Sequence, residues 1–357
     1  MELFVLNSNR MPGPTVKKFE SLQWTERYLD PGDFQLTVAD RIAVLNELPR
    51  GSLVSHTDTR EVMRVEDHEI TRDEEKGLKI VITGRSFETF AENRVTEGSY
   101  DPLNDPITGD AITQVSPNQS GCKTARDLLR DSLEDGTASA DDEIDYLTIV
   151  MTMRVEDPDM VVAIQRGNVY SRVVELLGLS DGGLKTIRPI VAGNNMQLVV
   201  HDGLDLTDDV VFYALYQDLV DAKYFWSDRA YKNYAAIAAK TYARLYRTRA
   251  LLSGVTGLNR RVMYVDANDI EGDYSPGTAS DVIAARGQTA LDDQVRIALI
   301  QARISETARP KFKIHYDVGD LVMVFGEFST AQAMRVTEHI LTVDETGQHG
   351  YPSLRAL

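Results

Sequence analysis

One device appears near both ends of this 357-residue chain. Near the start, Trp24-Thr25-Glu26-Arg27-Tyr28 leads into Gly32-Asp33-Phe34-Gln35-Leu36-Thr37-Val38. Near the end, Tyr316-Asp317-Val318-Gly319-Asp320 leads into Leu321-Val322-Met323-Val324. Each is a Gly-Asp turn feeding an apolar strand. In the first, Pro31 presets φ and Gly32 permits a positive φ. A chain that uses one turn-and-strand device twice, so far apart, is expected to hold two related β domains. The length agrees, because 357 residues exceed the usual size of a single core.

Residues 1–98 read as mostly β. Strands are expected at 3–6, 34–38, 61–66 and 78–83. Phe34, Leu36 and Val38 alternate with Gln35 and Thr37, the period of a half-buried strand. A short helix is expected over 40–47, stopped at Leu48 by Pro49. Residues 73–77 read as a hairpin loop between strands at 65–71 and 78–83. Residues 100–118 are rich in Pro, Asp, Asn and Gly and read as irregular. A helix is expected over 124–134, with Thr124 as cap and Gly136 past its end. Asp141-Asp142-Glu143 reads as a solvated turn. After a strand at 146–155, Val169, Tyr170, Val173, Val174 and Leu177 form one helical stripe, capped by Asn168 and closed by Gly178. Strands at 197–201 and 210–215 flank a polar turn. Residues 229–250 fit two readings: the Ala-rich run favours helix by propensity, and a strand pair fits as well. Helices are expected at 281–285 and 290–305, the latter on the stripe Leu291, Val295, Leu299 and Ala302. Strands at 321–325 and 334–343 complete the chain.

The residues that carry chemistry do not assemble into a known motif. There is no Walker-type loop, no GxGxxG and no GxSxG. The six histidines, at 56, 68, 201, 315, 339 and 349, show no i, i+4 pair, so no metal is expected. The acidic run from Asp266 to Asp273 misses the EF-hand template, because Ile270 holds a ligand position and Gly272 comes one residue late. The single cysteine, Cys122, rules out a disulfide within the chain and reads as a spectator. The aromatic run Tyr213, Tyr216, Tyr224, Phe225, Trp226, Tyr231 and Tyr234 reads as β core and interface rather than a sugar groove. A net charge of −17 argues against gripping nucleic acid by counterion release, which needs Lys and Arg against phosphate. No apolar run reaches the ~18 residues of a membrane helix.

Several phrases, in order, resemble the tail-hub proteins of siphophages, part of the wider hub group that includes the baseplate hub of contractile tails. The first is Leu22-Gln23-Trp24-Thr25-Glu26-Arg27-Tyr28 with Gly32-Asp33-Phe34 and a Gly84-Arg85-Ser86 step. Next come Gly203-Leu204-Asp205-Leu206-Thr207 and Val210-Val211-Phe212, then Lys232-Asn233. Gly257-Leu258-Asn259-Arg260-Arg261 runs on to Asp266, and the last phrase spans Tyr316 to Gly319-Asp320. Val262 stands where the family pattern has an acid, and Asn268 where it has a base.

The resemblance implies a mainly β fold with helical insertions (α+β) and two tail-tube-like β-barrels per subunit. The first barrel takes residues 1–98, and a mixed helical and irregular insertion takes 99–190. The second barrel takes 191–268 and is completed by 310–357, around a helical insertion at 269–309. It implies strand rather than helix over 233–249. It also implies a homotrimer at the virion tail tip, assembled in the host cytoplasm. A distal tail protein or tube ring would sit above it and tip or fibre proteins below. Tape-measure protein and DNA would pass through the lumen, DNA without specific binding. No cofactor, metal, membrane insertion or enzymatic activity is expected. The alternatives are a virion enzyme that degrades cell wall and a carbohydrate-binding receptor module. Hub proteins can carry such an enzyme as an extension, and a chain ending at Leu357 is expected to leave no room for one.

Overall fold

The computed structural model describes residues 1–73, 77–96, 113–114, 120–153, 163–164, 167–238, 245–249, 255–267, 276–294, 297–304, 308–326 and 331–356. The chain begins with β1 (Leu3–Leu6), β2 (Pro12–Val16), β3 (Ser21–Arg27) and β4 (Asp33–Ala39). A one-turn helix α1 (Val44–Glu47) precedes β5 (Leu53–His56), β6 (Met63–Asp73) and β7 (Gly77–Ser86). Then come β8 (Thr113–Gln114), α2 (Gly121–Leu133), β9 (Leu147–Thr152), β10 (Ala163–Ile164) and α3 (Val169–Leu179). Strands β11 (Gly183–Ile187), β12 (Met196–His201), β13 (Val211–Tyr213), β14 (Leu219–Ser227), β15 (Tyr234–Ala238), β16 (Leu245–Arg249) and β17 (Val262–Asp266) follow. Helix α4 (Pro276–Asp292) leads to β18 (Ile297–Ile304), β19 (Leu321–Phe325), β20 (Ala331–Asp344) and β21 (Gly347–Ala356). The fold is mainly β with a few helices, as expected.

Two compact units result. The first takes Met1–Ala222 and Gln301–Arg355, and the second takes Lys223–Ile300. In the first unit one sheet path runs β21-β20-β3-β4-β7-β6-β5-β1-β2, with β19 on β20 and β13 on β19. The two ends of the chain meet in it: β20 lies antiparallel to β3, with Leu341 opposite Trp24 and His339 opposite Glu26. Alternation explains one face of β3. Leu22, Trp24, Glu26 and Tyr28 point one way and are all buried. Leu36, Val38, Ile80 and Ile82 join Trp24 and Leu22 in a single core.

A second layer of this unit is built from β11-β12-β9, with β9 parallel to β12. Helices α2 and α3 cover it, burying Leu128, Leu129, Val173 and Leu177 at 0–1% exposure. The buried thiol of Cys122 belongs to this core, 3.9 Å from the Ser180 carbonyl. In the second unit, β16-β15-β17 form a three-stranded sheet. Ala235 and Ile237 of β15 pack with Ile283 and Leu291 of α4.

Several expectations change. Helix α2 starts earlier than Thr124: Ser120 is the cap, its hydroxyl accepting from Lys123 N at 3.2 Å. Thr124 instead returns its hydroxyl to the Ser120 carbonyl. Only Val44–Glu47 of the 40–47 segment is helical, because Asp40 adopts φ 47° and its carboxylate accepts from Leu78 N. The helix expected over 290–305 ends at Asp292, and Ile297–Ile304 is strand. Its branched apolar residues fit a pleated surface as well as a helical stripe. The strand reading of 233–249 holds at 234–238 and 245–249. Tyr216, Phe225 and Trp226 are 75%, 49% and 52% exposed, so those three are not core.

Asn168 caps α3 as expected, accepting from Ser171 N at 3.1 Å. Gly178 does not close that helix. It lies inside it, and Asp181 makes the exit at φ 51°. A Cβ at Gly178 would meet only Leu29 Cδ2, at 3.6 Å. Gly178→Ala is therefore expected to raise stability by about 0.5 kcal/mol, since glycine inside a helix costs conformational entropy. A urea midpoint that falls on this substitution refutes the placement.

Candidate functional site

The core face of β3 carries a carboxylate, Glu26, between Trp24 and Tyr28. A buried charge must be paired. The partner comes from the far end of the chain. Lys313 adopts φ 62°, in a turn closed by its own N–H donating to the Tyr316 carbonyl at 2.8 Å. That turn drives its ammonium into the sheet. Lys313 Nζ lies 2.6 Å from Glu26, 2.8 Å from Asp317 and 3.1 Å from Glu61. Lys185 takes the other oxygen of Asp317 at 3.1 Å.

Burial opposes charge on every member of this cluster, and pairing decides each outcome. Glu26 stays low despite its burial, because Lys313 is closest to it. Asp317 is held well below the usual carboxylate range by Lys313 and Lys185, also against burial. Glu61 rises well above that range, from burial first and the neighbouring Glu26 charge second. Lys313 rises, because three carboxylates outweigh its desolvation. The oxygens of Glu26, Glu61 and Asp317 lie within 4.8 Å of one another, close enough to hold a cation. The Lys313 ammonium occupies that role.

A second lock stands beside it on Tyr28. Its hydroxyl donates to the Asp181 carbonyl at 2.7 Å and accepts from Gly203 N at 3.2 Å. Arg335 lies over its ring, donates to the Gly319 carbonyl and pairs with Asp181. Gly319 has φ 100°, and a Cβ there would meet the Tyr28 ring at 2.4 Å. The Gly203 backbone passes so close to Gly319 that a Cβ would sit 1.7 Å from its carbonyl oxygen. Asp320 ties the two segments by accepting from Leu204 N at 2.8 Å and Asp317 N at 2.7 Å. Tyr316 is buried edge-on against Phe212.

The residues singled out from the sequence thus fall into distinct groups. Glu26, Tyr28, Gly203, Tyr316, Gly319 and Asp320 converge on one junction. Trp24 and Phe34 stack in the core beside it. Arg27 pairs with Asp33 and Glu338, bracing the turn that contains Gly32. The Asp205 carboxylate bonds locally, accepting from the N–H and hydroxyl of Thr207, while its backbone bridges Leu321 at that junction. Asn233, Arg260 and Arg261 belong to the second unit. There Asn233 accepts from Arg261 N and donates to the Asn259 carbonyl, and Arg260 lies 4.0 Å from the Tyr234 ring centre. Asp266 ends β17 opposite Ala238, and residues 268–273 of the acidic run lie outside the described residues. Lys313, Glu61 and Lys185 were not singled out. The available signal was the unpaired acid on the apolar face of β3.

The family model of the Siphovirus ReqiPepy6 Gp37-like protein matches residues 5–352. The chain belongs to this family. No curated protein matches its sequence. The Gp37-like chain superposes on the 43 kDa tail protein of prophage MuSo2 from Shewanella oneidensis with a TM-score of 0.61 at 14% identity, covering 99% of this chain and 96% of that one. A tail protein from Neisseria meningitidis MC58 gives 0.61 at 11% identity, over 99% and 96%. Prophage tail protein gp18 from Listeria monocytogenes EGD-e gives 0.56 at 11%, over 99% and 94%. At such identities the shared property is the fold. Among the described residues of this Gp37-like chain, no helix is long and apolar enough to cross a membrane.

The junction predicts a pH effect. His201 packs edge-on against Tyr28 at 5.4 Å, and burial lowers its pKa to about 3. The unfolded chain binds this proton near pH 6.5 and the folded chain does not. Its contribution is therefore intact above pH 6.5 and is lost as pH falls toward 3. Relative to His201→Gln, the wild type should lose up to about 1.4 kcal/mol per pH unit across that window. Parallel stability curves for the two proteins between pH 6.5 and 4 would contradict this.

Proposed function

We propose that this chain is the structural hub of a phage tail tip. Three copies close a ring, each contributing two tube-like barrels, one from residues 1–98 and one from 191–268 with 310–357. Six barrels around a threefold axis join a sixfold tail tube to a threefold tip. The observation that supports this most is the β3–β20 ladder. It pairs a strand of the first barrel segment edge to edge with a strand of the last. A closed ring needs such junctions, because unpaired edges invite uncontrolled association. The buried lock on Glu26 and Tyr28 holds that junction rigid. The likeness to three tail proteins, two of them from prophages, over almost their full length supports the same reading. Tube or distal tail protein lies above this ring and tip or fibre proteins below, with tape-measure protein and DNA passing through.

Reconstruction of the tail tip by electron cryo-microscopy is expected to show three copies on one axis. Six or twelve copies would sink the proposal. The lumen wall of that trimer is expected to be acidic or neutral, since each Lys or Arg reaching phosphate would release counterions and brake moving DNA. A continuous belt of Lys and Arg around the lumen contradicts it. The purified chain is expected to leave peptidoglycan, nucleotides and glycosides unchanged. Turnover abolished by substituting one carboxylate would favour the enzyme alternative.

A further inference from the structure

An isolated β-bridge joins Glu61 to Ile187, and it sets the flanking arginines side by side. Arg188 N donates to the Arg60 carbonyl at 2.8 Å. Arg60 answers with its guanidinium, donating to the Arg188 carbonyl from Nη2 at 2.7 Å and Nε at 3.2 Å. Arg188 lies 5.3 Å from the Phe4 ring centre and reaches the Thr59 carbonyl at 3.4 Å. Arg60 and Arg188 line a cavity of about 370 Å³, together with Thr59, Lys185 and Lys313.

The charge balance of this cavity is unusual for so acidic a chain. Neither Arg60 nor Arg188 meets a carboxylate among the described residues, and Arg188 Nε is buried without a hydrogen-bond acceptor. The three acids that also line the cavity are engaged. Glu61 and Asp317 are held by Lys313, and Asp58 accepts from Thr57 and Gln348. Burial lowers the pKa of both arginines, and the Arg60 charge adds to the effect on Arg188. Two guanidiniums fixed by the Arg188 and Thr59 carbonyls, with remaining N–H groups and no carboxylate partner among the described residues, are preorganised for an anion.

We propose that Arg60 and Arg188 form a binding site for an oxyanion, a phosphate or carboxylate group held by charge-assisted hydrogen bonds in this cavity. The site does not depend on the hub reading.

The test is calorimetric titration of the full chain with inorganic phosphate, and separately with acetate, at constant ionic strength in chloride. Saturable binding near one anion per chain is expected for at least one of them. Phosphate alone points to a free or esterified phosphate as ligand, and acetate binding points to a carboxylate. The variant Arg60→Gln/Arg188→Gln is expected to bind roughly tenfold more weakly or worse. No saturable binding of either anion, or equal binding by the variant, overturns the proposal. A second readout needs no variant. In the wild type, anion addition should shift the Arg60 and Arg188 Nε–H resonances, and shifts confined to other arginines overturn it too.

Discussion

Lys313→Met is expected to lower the unfolding free energy by about 3 kcal/mol, the low end of the range for stripping one partner from a buried ion pair. The low end applies because 22% of the Lys313 side chain remains exposed, whereas Glu26 keeps only 2%. Methionine preserves the aliphatic stem, so the loss reports the ammonium. Without it, Glu26, Glu61 and Asp317 face one another, and among the described residues the ion pair that remains to them is Lys185 on Asp317. The carboxyl groups then take up protons. A carboxyl whose folded pKa has risen stabilises at low pH and loses that contribution as pH rises through it. The cost of Lys313→Met is therefore larger at pH 8 than at pH 5. Adding Glu26→Gln and Glu61→Gln should recover much of the loss, because a neutral cluster no longer needs a cation. Urea unfolding at the two pH values measures all of this. A cost below about 1 kcal/mol at pH 8, the worth of an exposed pair, would show that the cluster is only a surface network.

Gly203→Ala is expected to cost at least the roughly 1–3 kcal/mol of an overpacked site. The new Cβ would sit 1.7 Å from the Gly319 carbonyl oxygen and 2.9 Å from Asp320 N. Both are backbone atoms, so no rotamer change relieves the contact. The segment after β12 must move, and it is tied on each side. Leu321 N donates to the Leu204 carbonyl at 2.7 Å, and Leu204 N donates to Asp320. Displacement also draws Gly203 N away from the Tyr28 hydroxyl. Thermal unfolding of the purified variant reads the effect, with Gly178→Ala as a control expected to move the other way. A Gly203→Ala variant as stable as the wild type would mean that these two segments do not approach as described.

Much of the local structure was legible in the residues. Alternation in Phe34-Gln35-Leu36-Thr37-Val38 marks β4, and Asn168 followed by an apolar stripe marks α3. The two Gly-Asp phrases are where strands begin, at Asp33 and at Leu321. Errors arose where one pattern serves two periods. The stripe Leu291, Val295, Leu299 and Ala302 satisfies helical spacing, yet the chain leaves the helix at Asp292 and continues as β18. Caps erred by a few residues, because Ser120 and Thr124 are equally able to accept from a helix N-terminus and only packing selects one.

Residue chemistry and order along the chain determined which segments are strand, which turns carry Gly-Asp, and which family the phrases belong to. They did not determine which distant residues share a site. Glu26 sits on an apolar strand face, which shows that a cation is needed without showing which of 38 Lys and Arg supplies it. The β3–β20 ladder decides that, by carrying the Lys313 turn over Glu26 and bringing Gly319 against Gly203. Pairing between strands some 300 residues apart is a property of the assembled sheet. Neither end of the chain encodes it alone, because local propensity acts over a few residues and a ladder joins whichever edges the core brings together.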